Sequence, residues 1–157
     1  MAIRLIEVGK TDASYLIEAE TNYEQRLKHF VKFERFTVQD IKNGGVLPRE
    51  ILKEKEGDSI LSKINASDYV VLLDENGKEF TSREFSSWIE RTQLHHSGNL
   101  VFVIGGAFGF SKQLYERANF NLSLSKMTFS HQMIRSFFLE QLYRSFTILK
   151  GIKYHHD

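Results

Sequence analysis

The chain of 157 residues is 41% hydrophobic, 26% charged and 13% aromatic, with one Pro and no Cys, a balance that fits one globular domain over residues 1–157 and excludes extensive disorder. Lack of Cys removes thiolate nucleophiles, disulfides and Cys-based zinc sites, and a reducing cytoplasm is the expected compartment. The net charge of +1 hides an asymmetry: residues 1–109 hold 14 Lys/Arg against 17 Asp/Glu, whereas residues 110–157 hold 7 against 3 and half of the six His. The C-terminal third is therefore the part able to meet a polyanion. The longest apolar runs, Tyr69 to Leu73 and Leu100 to Ile104, are too short to span a membrane, and Arg4 and Glu7 interrupt the stretch a signal peptide would need.

Taken in chain order, Ile3 to Val8 reads as a strand closed by Gly9, and Thr11 or Asp12 is placed to cap a helix with apolar positions at Leu16, Ala19, Tyr23 and Leu27. Phe30 to Val38 alternates as a second strand before a turn at Asn43-Gly44-Gly45, and Pro48 suits the first turn of a helix carrying Ile51, Leu52, Ile60, Leu61 and Ile64. Tyr69 to Leu73 is a buried strand. Beyond Asn76-Gly77, the spacing Thr81-Ser82-Arg83-Glu84 predicts a capping box and a helix, which disfavours a hairpin there. Leu100 to Ile104 is a fourth strand, followed by a Gly-rich loop, a short helix near Ser111 to Ala118 and a last strand around Phe120 to Leu124. Five strands alternating with helices predict an α/β fold with a mainly parallel sheet covered on both faces. The final helix, His131 to Leu149, is apolar almost all round. It needs cover on both sides, from the sheet and from either a second subunit or the rest of the monomer.

Ligands of an open parallel sheet gather beyond the carboxyl ends of its strands, which singles out Leu73 to Gly77, Gly105 to Gly109 and Leu124 to Phe129. The glycine loop is not a dinucleotide fingerprint: it follows the fourth strand, its spacing is G-G-x-x-G, and no acid lies near position 129. Its glycines fit either a tight turn or the close approach of backbone to a flat ligand. His131 and Arg135 share a helix spacing, with Glu140, Tyr143 and Arg144 further along, and basic and aromatic residues on one element suit RNA. Gly151 ends the helix, and Lys153-Tyr154-His155-His156-Asp157 then cluster titratable groups in a pattern too weak for a metal site.

Taken together, Val101 to Gly106, Leu124-Ser125-Lys126-Met127-Thr128-Phe129, His131-Gln132-Met133 with Arg135, Glu140-Gln141-Leu142-Tyr143-Arg144 and Tyr154-His155 closely resemble the RlmH family of SPOUT methyltransferases. The likeness covers essentially the whole chain, including its length and the opening Val8-Gly9-Lys10. It implies a C-terminal trefoil knot, a homodimer around the knot, and S-adenosylmethionine as cofactor. The implied reaction is methylation of N3 of a pseudouridine in helix 69 of 23S rRNA on the assembled ribosome. The family's cofactor contacts fall on Leu73, Gly105 and Leu124, Ser125, Lys126, Met127, Thr128 and Phe129. Where the family usually has Pro before the His, this chain has Ser130.

A methyl sulfonium needs no covalent enzyme intermediate, so alignment is most of the task, but a pseudouridine N3 is protonated at neutral pH and must lose its proton. His155 is the expected base, Tyr154 stacks on or orients the nucleobase, and Arg135 or Arg144 holds phosphate or charge. His131, Arg144 and Lys153 are the expected RNA contacts. Two other readings stay open on the residues alone: a nucleotide-binding oxidoreductase, and a ribosome-binding module without activity.

Overall fold

A computed structural model describes residues 1–41 and 45–157. Its elements, in order, are β1 (Ile3–Val8), α1 (Ser14–Leu27), β2 (Phe33–Val38), α2 (Arg49–Leu61), β3 (Tyr69–Glu79), α3 (Ser82–His95), β4 (Leu100–Ile104), α4 (Lys112–Arg117), β5 (Phe120–Ser123) and α5 (Met133–Leu149). The strands form one sheet in the order β2-β1-β4-β3-β5, and every neighbouring pair is parallel. Of the expected turn at Asn43-Gly44-Gly45, the first two residues lie outside the described residues.

Period-two alternation sends side chains to opposite faces of the sheet. Ile3, Leu5, Leu100, Phe102 and Val71 pack under α1, α3 and α5, against Leu27, Phe85, Ile89, Phe138 and Leu142. Ile6, Val8, Val70, Leu72, Val101 and Val103 face Ile60 of α2 and Leu114 of α4. Helices thus cover both faces, as the alternation of apolar runs required. Each fully buried aliphatic or Phe side chain contributes about 1.5–3 kcal/mol to this packing.

Several boundaries differ from the sequence reading for physical reasons. α1 is preceded by Ala13, which supplies no side-chain cap, because Thr11 and Asp12 are used elsewhere. The Thr11 hydroxyl donates to Glu20 at 2.9 Å and accepts from Arg135 at 3.0 Å, while Asp12 exchanges hydrogen bonds with Gln132. Pro48 stands just before α2, and Ile64 falls beyond its end, in a turn. The capping box at Thr81 and Glu84 is formed.

The largest difference is in β3, which continues past Leu73 to Glu79. Leu122 of β5 pairs first with Leu73 and again with Lys78, so residues 74–77 bulge out of the ladder. Gly77 permits this: a Cβ there would lie 2.6 Å from the Asn121 backbone. The bulge projects Asp74, Glu75 and Asn76 over the carboxyl end of the sheet.

α5 lies on the sheet between α1 and α3. Most of its apolar circumference is therefore covered within the chain, which leaves Phe137 as its exposed aromatic residue. Ser130 sits where the resembling family has Pro, and its side chain accepts from Met133 N at 3.1 Å while its carbonyl accepts from Ile134 N. It thereby supplies the helix entry with an N-cap-like hydroxyl. The other end closes as a Schellman motif, with Gly151 at φ +66°, Gly151 N donating to Ile148 O and Ile152 N to Thr147 O.

Candidate active site

The three loops singled out beyond β3, β4 and β5 converge on one cleft of about 610 Å³. Its walls include Leu73, Gly105, Leu124, Ser125, Met127, Thr128, Phe129 and His131, so seven of the eight expected cofactor residues are brought together. Lys126 is not: its side chain is 85% exposed and its ammonium lies 3.8 Å from Glu79. His131 precedes α5 and turns into the cleft, so it does not share an outward helix face with Arg135.

Backbone and carboxylates dominate the cleft's polar chemistry. Gly105 packs so closely on Phe110 that a Cβ would approach the ring to 3.0 Å, and one at Gly106 would meet the Glu56 carboxylate at 2.6 Å. The glycine loop therefore lies flat on its support, with the Gly106 N–H turned to Glu56 and its carbonyl accepting from Gly109 N at 3.3 Å. On the opposite wall the Tyr115 hydroxyl donates to Asp74, and burial together with that carboxylate pushes the Tyr115 pKa up to about 12. This phenol stays protonated and fixes the bulge of β3. Thr128 donates to Glu75 at 2.7 Å, which joins the β5 loop to the same bulge.

The sequence reading singled out the loop that holds Asp74 and Glu75 but gave neither acid a role, and it missed Tyr115 and the α2 residues Arg49 and Lys53; all five line the cleft. The two acids follow a buried strand at its carboxyl end, which is why their loop was legible. Pro48 marks where α2 begins, but nothing in the pattern of the helix marks Arg49 or Lys53 as facing a ligand.

Glu56 stands behind the glycine loop, nearly buried. Burial and the nearby Asp40 carboxylate raise its pKa, while the Gly106 N–H opposes them. The folded protein thus holds this proton more tightly than the unfolded chain does. The associated stability is fully present below the unfolded value of 4.5 and is lost as pH rises through the raised one. Glu56→Gln keeps an acceptor for Gly106 and removes the repulsion. It is expected to raise the melting midpoint at pH 7 by about 2 °C, with little change at pH 4, because solvent screens part of the effect. A lower midpoint at pH 7 would show that the ionised carboxylate is stabilising.

Arg135 requires a correction. Its side chain is 0% exposed, donating to Val8 O at 2.6 Å and to Thr11 at 3.0 Å, with Nε 3.5 Å from Glu7. Arg35 completes the group by bridging Glu7 and Glu20, each at 2.9 Å. A guanidinium held under the end of β1 cannot meet an RNA phosphate. Its place is structural, tying α5 to β1 beside the cleft.

The tail folds back along α5. Tyr154 donates to Glu140 at 3.0 Å, packs edge-on against Tyr143 and lies under the Arg144 guanidinium at 4.8 Å. Burial, with Tyr23 and Glu140, raises the Tyr154 pKa, so it acts as a neutral donor. Glu140 holds Arg144 and raises the pKa of that guanidinium, whose Nη1 lies 3.2 Å from His155 Nδ1. Since Arg has no acceptor, His155 accepts at Nδ1, carries its proton on Nε2 and donates to Asp157 at 3.1 Å. Asp157 in turn binds Arg83. Lys153 is exposed. No tail residue lines the cleft.

Among the described residues there is no cluster of three or more potential metal ligands, and no helix is long and apolar enough to cross a membrane.

Comparison with known proteins agrees with the geometry. The family described as "Predicted SPOUT methyltransferase" matches residues 1–155. A protein of Parabacteroides distasonis named ribosomal RNA large subunit methyltransferase H is 52% identical over 157 residues, covering 100% of both chains. One of the same name from Christiangramia forsetii is 51% identical over 156 residues, covering 99% of each. The solved tRNA (m1G37) methyltransferase of Aquifex aeolicus shares the fold, with a TM-score of 0.56 at 11% identity over 99% of this chain and 74% of that one. A cleft built from three strand-end loops of a parallel sheet, in a chain matched over nearly its whole length, thus belongs to an enzyme of the SPOUT methyltransferase family.

Proposed function

We propose that the protein transfers a methyl group from S-adenosylmethionine to N3 of a pseudouridine in helix 69 of 23S rRNA, acting as a homodimer on the assembled ribosome in the cytoplasm. The observation that carries this reading is the cleft, in which the β3 bulge, the glycine loop and Leu124–Phe129 form a single ligand site. The 52% and 51% identical relatives named as large-subunit rRNA methyltransferases support the class of substrate.

The site fits the cofactor in size and chemistry, since a volume of about 610 Å³ falls in the range of small-molecule pockets. Leu73, Ile104 and Leu124 supply apolar walls, and Gly105 together with residues 124–129 would hold the cofactor through backbone edges. When bound, it supplies an activated methyl group. The chain itself must align the acceptor, exclude water and remove the N3 proton.

His155 is proposed as the base for that proton, acting through Nδ1 once the Arg144 contact opens, with Tyr154 orienting the nucleobase. Arg144 then faces the charge that develops on the imide. Lys153 and His131 are proposed RNA contacts from the tail and the cleft wall. No tail residue lines the cleft of its own chain, so the tail is proposed to complete the cleft of a second copy. A hollow of about 380 Å³ between Phe80, Phe85, Phe129, Ile134 and Phe137 offers that copy an apolar contact. Convergence of the three loops is also what a knotted passage of the chain after β5 would need.

The test is incubation with labelled S-adenosylmethionine and ribosomes lacking the modification, followed by digestion and identification of the methylated nucleoside. Label in N3-methylpseudouridine from helix 69 is the expected result; no label, or label elsewhere, refutes the assignment. His155→Ala is expected to slow single turnover at least about tenfold with cofactor affinity little changed. A near wild-type rate removes His155 from the reaction.

A further inference from the structure

We propose that Arg49, braced on Phe108, is a contact for the substrate RNA on the rim of the cleft, where it takes a backbone phosphate next to the target nucleotide. The inference rests on the function proposed above and assigns to α2 a part in substrate binding that its sequence pattern does not show.

The guanidinium carbon of Arg49 lies 4.6 Å from the centre of the Phe108 ring. Both side chains are exposed, and both line the cleft. Stacking of this kind fixes the plane of a guanidinium while leaving its N–H edge unused. Among the described residues Arg49 has neither a side-chain hydrogen bond nor an ion pair. The adjacent acid, Glu50, is engaged by Lys53 at 3.3 Å. An oriented cation with free donors therefore stands at the mouth of the cleft, in a part of the chain that is otherwise slightly acidic.

Its position gives it a role. Arg49 and Lys53 of α2 and Met127 to Phe129 of the loop after β5 line the same cleft, and on this proposal the nucleobase enters between them. On that second rim Met127 and Phe129 are also exposed. A base turned into the cleft brings its own and neighbouring phosphates across one of these rims, and the forked donors of Arg49 match phosphate oxygens. Exposed aromatic and apolar side chains on both rims suit the bases on either side.

The test compares wild-type, Arg49→Ala, Arg49→Lys and Arg49→Glu proteins. Measurements are S-adenosylmethionine affinity by calorimetry, melting midpoint, and the KM for unmodified ribosomes at several salt concentrations. Arg49→Ala is expected to raise the ribosome KM about tenfold and to reduce its salt dependence by about one phosphate contact. Cofactor affinity should stay within about twofold and the midpoint unchanged, because the side chain is exposed. Lys should restore part of the loss, and Glu should deepen it. An unchanged KM overturns the proposal, as does a cofactor affinity that falls by the same factor, which would make Arg49 a cofactor ligand. Wild-type protein that methylates no ribosomal RNA overturns the proposed function, and this inference with it.

Discussion

Arg135→Ala is expected to destabilise the protein by about 3–5 kcal/mol, because removing one partner of a buried ion network leaves the others uncompensated. For a chain of this size that is a fall of roughly 10 °C in melting midpoint. Without Arg135, the buried carboxylates of Glu7 and Glu20 face Arg35 alone, and Val8 O loses its 2.6 Å donor at the end of β1. Arg135→Lys keeps a charge but not the fork, and should fall between Ala and wild type. The double variant Arg135→Met with Glu7→Gln should recover part of the loss, since it removes charge from both sides of the pair. Differential scanning calorimetry with cofactor titration separates structure from chemistry. A midpoint within about 2 °C of wild type with methyl transfer abolished would return Arg135 to the reaction.

That residue also marks the limit of the sequence reading. Spacing showed that Arg135 is four residues beyond His131, but whether it faces solvent depends on the end of β1, more than 120 residues earlier in the chain. The sheet was legible because its central strands are continuous apolar runs whose alternation does not depend on distant partners. The cleft was legible too, since a parallel sheet places ligands beyond its strand ends whatever the order of the strands. What sequence could not supply was the part of its walls that the β3 bulge and α2 contribute. The β3 bulge follows from a register shift against β5, at a Gly77 that reads locally as a turn. Arg49 and Glu56 reach the glycine loop only because α2 packs on the opposite sheet face from α5. For the tail, the resemblance named Tyr154 and His155, but only the fold shows the His155 lone pair turned toward Arg144 and both residues held away from their own cleft.

Two inactive variants are expected to restore activity when combined, if each active site is shared between copies. Ser125→Tyr fills the cleft but leaves the tail intact, whereas truncation after Ile152 removes the tail and keeps the N–H that closes α5 on Thr147 O. Each should be inactive alone. Random association of equal amounts gives half mixed dimers, and each of these pairs one intact cleft with one intact tail. The mixture should therefore recover about a quarter of wild-type methyl transfer, provided the chains are unfolded and refolded together so that they exchange. If the tail served its own cleft, every chain in a mixed dimer would carry a defect and activity would stay at background. Sedimentation of the mixture provides the control: dimers with background activity exclude sharing, whereas monomers exclude the dimer itself. Recovery near a quarter would show that the tail completes the partner's cleft, and would explain why a tail so fully engaged with Glu140 and Arg144 does not line its own.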